Sequence, residues 1–266
     1  MCVRRIVINL ERRRKILDIL EKEGQILTIE LEERLGVTGA TIRSDLREMD
    51  REGAVVRFHG GATLADQSSQ ISPNENYLKR SIMNVEEKRQ IGREAAKLVT
   101  NGETIFLDAS STSLHMVPFI RHLENLTIVT NGINTALEIQ RFSNFKTVMI
   151  GGVLRSHSGA IEGLLCEDML SKISGDTYFV SGNGFSIEAG LTGNNFYELE
   201  LKRRCAQRCG KIVALIDSSK MNNNSTSSFI RSNQIDILIT DNGISKEQQQ
   251  FISEIGIQII VAGKEL

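Results

Sequence analysis

Short β-rich runs alternating with helical stretches restrict this chain more than any other feature of its sequence. TIFLD (104–108), LTIVT (126–130), KTVMI (146–150), TYFVS (177–181), KIVALID (211–217), IDILITD (235–241) and IQIIVA (257–262) recur from Val85 onward. Strands buried on both faces read as continuous apolar runs, and the helices between them return the chain so that neighbouring strands run parallel. The pattern predicts an α/β domain built on a mainly parallel sheet with helices on both faces. No internal repeat or low-complexity tract interrupts it.

Upstream, the pattern is helical. Leu10, Ile16, Leu17 and Leu20 give a buried stripe from about Leu10 to Glu23, with Gly24 where a C-terminal cap is expected. IELEERL forms a short second helix that Gly36 breaks, and Thr38 is an N-cap for a third, TGATIRSDLREMDREG, whose Ile42, Leu46 and Met49 recur at helical spacing. AVVRFHGGA then alternates apolar and polar residues and ends in Gly60-Gly61, as a small β-ribbon with a glycine turn does. Three helices with a tight turn before the third, then a ribbon, predict a winged helix-turn-helix over 1–64. The polar, aperiodic stretch LADQSSQISPNENYLKR gives a linker over 65–80, leaving 81–266 to the α/β domain.

The 266 residues hold 32 Lys and Arg against 33 Asp and Glu, so total charge lends nucleic-acid binding no support. Within 1–64 the balance is nearly neutral, but it is segregated: Arg4, Arg5, Arg12, Arg13, Arg14 and Lys15 cluster at the start, while Glu30, Glu32 and Glu33 sit later. A one-sided phosphate contact is expected from that arrangement. No apolar stretch approaches the roughly 20 residues of a membrane span, and MCVRRIVINLERRRK lacks a signal-peptide core, so a cytoplasmic location is expected. Cys2, Cys166, Cys205 and Cys209 are read as reduced structural thiols; no metal site and no cofactor are expected.

With Ile42, Leu46 and Met49 facing the core, the other side of the third helix carries the candidate DNA contacts Thr38, Ala40, Thr41, Arg43, Ser44 and Arg47; Arg57 and His59 add to them from the wing. Arg43 is the first choice, since its planar fork binds a base or a phosphate in bidentate fashion. In the α/β domain, Ala109-Ser110-Ser111-Thr112-Ser113 places hydroxyls and backbone N–H groups after a strand, an arrangement that favours phosphate. Thr130-Asn131-Gly132, Gly151-Gly152, Gly182-Asn183-Gly184 and Asp217-Ser218-Ser219-Lys220 also follow strands, so their loops should gather along the carboxyl edge. Lys220 offers a cation.

The stretch VTGATIRSDLREMDREGAVVRFHGGA, with its TIR-x-DL core and HGGA ending, resembles the recognition helix and wing of the DeoR family of bacterial regulators. The resemblance continues through nearly the whole chain. It implies a C-terminal domain similar to ribose-5-phosphate isomerases and glucosamine-6-phosphate deaminases, with a phosphorylated sugar as effector. By matching motif positions it also implies a ligand pocket holding Asp108, Ser111, Thr112, Asn131, Gly152, Lys202, Asp217 and Lys220. Three positions depart from the usual family form: Ser44 stands for a second arginine, and Ser110 and Ser181 each stand for a glycine.

The expected function is a DNA-binding transcriptional regulator, a repressor of a carbohydrate-catabolism operon released by its sugar phosphate, acting as a homo-oligomer on a symmetric double-stranded operator. Alternatives are a ligand-dependent activator, a module that binds protein, and a sugar-phosphate isomerase or deaminase fused to a DNA-binding module. The enzyme needs a base beside the sugar carbonyl. Asp108 and Asp217 are available, yet the loop SGNGFS offers Asn183 and no acid, and His115 is a lone histidine on a helix. No catalytic residue is assigned.

Overall fold

The computed structural model describes residues 2–23, 25–58, 61–64, 77–142, 145–154 and 158–263. They form two compact units, 1–82 and 83–266.

The first unit opens with α1 (Cys2–Glu23), which starts eight residues before the expected Leu10. No glycine or proline lies between Cys2 and Glu23 to stop it. Then come β1 (Gln25–Leu27), α2 (Thr28–Leu35), α3 (Gly39–Arg51), and the ribbon β2 (Val55–Phe58) and β3 (Gly61–Leu64). Gly36, at φ +63°, ends α2 in the left-handed conformation that a side chain would strain, and α3 starts three residues later under the Thr38 cap. The ribbon pairs antiparallel, Phe58 opposite Gly61, and β1, which periodicity did not reveal, adds to β3 in the order β1-β3-β2. Ile16, Leu20, Leu31, Ile42, Leu46, Met49, Val55 and Ala62 fill the core beneath. The unit closes with α4 (Tyr77–Ile82), a helix where the linker was expected to run on to Arg80. Gly24, His59, Gly60 and the linker positions 65–76 lie outside the described residues.

The second unit alternates as expected. After α5 (Val85–Ala96), the strand β4 (Thr104–Leu107) leads into two short helices, α6 (Ser111–Leu114) and α7 (Val117–Ile120). β5 (Thr127–Thr130), α8 (Ile133–Phe142) and β6 (Lys146–Met149) follow, then the two-residue strands β7 (Val153–Leu154) and β8 (Ile161–Glu162), which pair as a hairpin. α9 (Glu167–Ser171) leads to β9 (Gly175–Val180). Beyond it come β10 (Gly184–Ser186), β11 (Gly190–Gly193), α10 (Phe196–Ala206), β12 (Cys209–Leu215), β13 (Ser227–Ile230), β14 (Ile237–Thr240), α11 (Lys246–Glu254) and β15 (Gln258–Val261).

All seven β-rich runs enter one sheet, ordered β15-β14-β12-β9-β4-β5-β6, with every neighbouring pair parallel. Its strands alternate between two cores. Ile105 and Leu107 pack with Ile91, Val117, Ile120 and Ile139 on one face, and Phe106 packs with Tyr178, Leu170, Leu199 and Ile252 on the other. The order fixes where a ligand can enter. From β4 the chain builds outward through β5 and β6, then returns to the other side of β4 to lay down β9, β12, β14 and β15. The strand order therefore reverses between β4 and β9, and in open α/β sheets the crevice beyond the carboxyl ends at that point is where ligands bind. A smaller antiparallel sheet, β10-β11-β13, stands beside it.

Candidate recognition helix and carboxyl-edge site

Along α3 the buried face is Ile42, Asp45, Leu46 and Met49, and the exposed face is Ala40, Arg43, Ser44 and Arg47, a stripe with the spacing of one helix side. Thr38 is exposed at the cap; its Oγ1 accepts from the Thr41 amide at 3.4 Å and lies 3.0 Å from the half-buried Thr41 hydroxyl. Arg57 lies in β2, but its side chain, like the whole of His59, falls outside what the structure describes. The basic start of the chain is corrected. Arg12 and Arg13 turn inward, where Arg12 Nε donates to Asp45 and Arg13 bonds Glu48 at 2.8 Å and reaches Asp45 and Glu52 at 3.5 Å. They clamp α1 to α3. Arg14 and Lys15 are the exposed cations of that cluster; the side chains of Arg4 and Arg5 lie outside the described residues.

At the carboxyl edge, Asp108 follows β4 and is fully enclosed. Its Oδ1 accepts from the Ser110 amide at 3.1 Å and the Ser113 hydroxyl at 2.5 Å; Oδ2 accepts from the Ser181 amide at 3.0 Å and faces Lys202 Nζ at 2.9 Å. Lys202, from α10, also meets Glu198 Oε1 at 3.1 Å and donates to the Ser181 carbonyl at 2.9 Å. Those three contacts use all the donors an ammonium has. Burial pushes the Asp108 carboxyl up, but Lys202 and the Ser110, Ser113 and Ser181 donors outweigh it and hold the pKa below the usual range. Burial likewise pulls Lys202 down, and Asp108 and Glu198 overturn that and raise it. The pair is ionised and ties the loops after β4 and β9 together.

Several expected contacts are thus occupied within the fold. Ser110 Oγ caps the Ser113 amide at 3.0 Å, and the Asn131 side-chain amide donates to the Ile161 carbonyl of β8 at 2.9 Å. Gly151 and Gly152 are exposed at the entry to the β7–β8 hairpin; a Cβ on Gly152, at φ +150°, would stand 2.6 Å from the Glu162 carbonyl oxygen. Gly182 opens the turn from β9 to β10, and Ser111 is buried in the first turn of α6. Asp217, after β12, accepts from Asn84 Nδ2 at 3.1 Å and from the Ser219 hydroxyl, with Lys220 Nζ 3.3 Å away. Burial raises its pKa, and Lys220, Ser219 and Lys88 together bring it below the ordinary value. His115 is pushed down to about 4 by burial, then by Lys88 and Arg89, and stays neutral.

Three buried hydroxyls of this unit lack a hydrogen-bond partner among the described residues: Thr112 in α6, the helix that follows β4, Ser181 just after β9, and Thr240 closing β14. Thr112 and Ser181 flank the strand-order reversal. A buried hydroxyl left unbonded costs about 1–3 kcal/mol, so each of these calls for a partner from outside the chain, a water or a ligand. Neither of two cavities reaches these residues: one of about 220 Å³ is lined by Phe185, Met221, Asn222, Glu247, Gln248 and Phe251, and a larger one of about 590 Å³ lies between Arg203 and Arg231. Sequence reasoning missed Glu198, visible only as an acid four residues before Lys202, and Asp241, which accepts from the Ser218 amide and hydroxyl at 2.6 and 2.7 Å. Asn84 gave no sequence signal.

Two family models cover most of the chain. The DeoR-like helix-turn-helix domain matches residues 12–68 and the DeoR C terminal sensor domain matches residues 83–242. The chain belongs to the DeoR family. Among its relatives, the HTH-type transcriptional regulator GolR of Listeria innocua is 39% identical over 95% of this chain and 98% of its own length. The glycerol-3-phosphate regulon repressor of Escherichia coli K12 is 28% identical over 94% and 97%, and the putative aga operon transcriptional repressor of Escherichia coli O157:H7 is 28% identical over 98% and 97%. Ribose 5-phosphate isomerase A of Methanocaldococcus jannaschii overlaps 52% of this chain and 55% of its own at 16% identity and a TM-score of 0.39, too low to carry a functional argument. This DeoR-family chain is a DNA-binding transcriptional regulator, and its relatives are named as regulators, not enzymes. Among the described residues, no helix is long and apolar enough to cross a membrane.

Proposed function

We propose that this chain represses a carbohydrate-catabolism operon from the cytoplasm and is released by a phosphorylated sugar held at the carboxyl edge of its parallel sheet. The observation that carries the reading is the strand-order reversal between β4 and β9, flanked by the unpartnered hydroxyls of Thr112 and Ser181. In this reading Lys220, about four-fifths buried and 3.3 Å from Asp217, supplies the cation that meets the phosphate. Asp108 and Lys202 hold the loops after β4 and β9 together at that edge. Two of the relatives described above carry repressor names, one of them for the glycerol-3-phosphate regulon, and both names favour repression over activation. DNA contact falls to Thr38, Ala40, Thr41, Arg43, Ser44 and Arg47 of α3, with Arg57 and His59 from the wing. Because each chain carries one such helix, a symmetric operator calls for at least two copies.

The test is a thermal-shift screen of the purified full chain against phosphorylated sugars and their unphosphorylated counterparts, because a ligand that binds only the folded state raises its melting temperature. The reading expects a shift with one sugar phosphate, none with the free sugar, and loss of that shift in Lys220→Ala. Stabilisation by no sugar phosphate would overturn the pocket. Activation, the second reading, would show as tighter DNA binding when the same ligand is added.

A further inference from the structure

Acids near α3 differ in what they face. Asp45, Glu48 and Glu52 pair with Arg12 and Arg13 on the side of α3 packed against α1. Glu32, on α2, does not. Its Oε1 lies 4.0 Å from Arg43 Nη1, with the two side chains 34% and 57% exposed, and among the described residues neither has another ion-pair partner. A Cβ built on Gly39 would fall 1.8 Å from that Glu32 oxygen and 3.0 Å from Arg43 Nη1. The carboxylate thus rests on the first residue of α3, in room that glycine leaves. The partial positive charge of a helix start favours it there. The end of α3 that presents Ala40, Arg43 and Ser44 therefore also presents a negative charge.

That placement has a consequence for DNA. A duplex brings a dense row of phosphates to whatever enters its groove, and an acid beside the reading arginine raises the free energy of every such complex, whatever its sequence. A base edge can offset the cost. In the major groove, arginine pairs with guanine O6 and N7, and glutamate accepts from the cytosine amino group. We propose that Glu32 is a specificity-determining residue of the DNA-reading surface: it weakens binding to arbitrary duplexes, and regains part of that loss where a cytosine amino group stands beside the guanine read by Arg43.

The experiment compares the full-length chain with Glu32→Gln on two probes, a random-sequence duplex and a duplex enriched from a random pool by the unsubstituted chain. Dissociation constants are measured across a salt series, and melting temperatures verify that both chains are folded. Glu32→Gln should bind the random duplex at least about threefold more tightly at low salt, the scale of one phosphate contact. Its preference for the enriched duplex should fall, by less than that factor, because Glu32 regains part of the loss there; an unchanged preference overturns the proposal. Unchanged or weaker binding to the random duplex overturns the proposal. Weaker binding to the enriched duplex alone would overturn it too, leaving Glu32 a positioning residue for Arg43.

Discussion

Asp108 and Lys202 are buried together, and each is charged because of the other. Removing one partner of such a pair leaves an uncompensated ion in the interior, at a cost of about 3–5 kcal/mol. Lys202→Met should lower unfolding stability in urea by that amount, and Lys202→Met combined with Asp108→Asn should recover part of it. The pair also has a pH signature. The folded pKa of Asp108 is depressed, so its stabilising contribution is complete above the ordinary carboxylate range and lost as pH falls through the depressed value. Lys202 is raised, so its contribution is complete below the ordinary lysine range and lost only as strong alkali takes the pH through the raised value. Acid unfolding of Asp108→Asn should lack the Asp108 component, which a urea midpoint series from pH 6 downward measures. An equal acid dependence in both chains would remove the pair from the account.

At the scale of elements, α3 is held by two devices of different strength. The Thr38 cap on the Thr41 amide is worth about 1 kcal/mol, so Thr38→Ala should destabilise modestly. The clamp is stronger: Asp45 is nearly buried between Arg12 and Arg13, and Asp45→Ala should cost about 3 kcal/mol. Hydrogen exchange of the α3 amides in the full chain, faster in Asp45→Ala than in Thr38→Ala, checks the ranking. The sequence made α3 legible because its caps and apolar spacing are local signals. Its partner stayed hidden: Arg12 and Arg13 looked like phosphate contacts because nothing local shows an arginine meeting a carboxylate on another helix. The seven parallel strands were legible for a related reason, each being an apolar run long enough to read alone. Strands β1, β7, β8, β10, β11 and β13 have two to four residues, several of them glycine or serine, and exist through their pairing, some of it distant, such as Thr192 with Ser228. In the carboxyl-edge site, position was legible and role was not. Residues after strands fall at one edge by topology, whereas the engagement of Lys202 by Asp108 and Ser181 depends on contacts far apart in the chain.

For the whole molecule, the division into units 1–82 and 83–266 separates the two proposed surfaces on one chain, with α3 in the first and the strand-order reversal in the second. Variants at each should therefore dissociate the two readouts. Arg43 is exposed and adds no core contact, so Arg43→Ala should weaken binding to an enriched duplex by about fivefold or more, the 1–3 kcal/mol of a good base contact, with the thermal shift by the effector unchanged. Thr112→Val keeps the size of the side chain and removes a buried hydroxyl that has no hydrogen-bond partner among the described residues, so the fold should tolerate it. It should reduce the effector shift and leave duplex binding in the absence of effector at the unsubstituted value. Coupling between the surfaces then appears as a third quantity: effector added to the Thr112→Val chain should release DNA only at the higher concentrations that its weakened binding dictates. Gel-shift titrations with and without effector on both variants measure all three. If Thr112→Val abolishes DNA binding by itself, or Arg43→Ala abolishes the effector shift, the two surfaces are not separable and the assignment of one function to each unit fails.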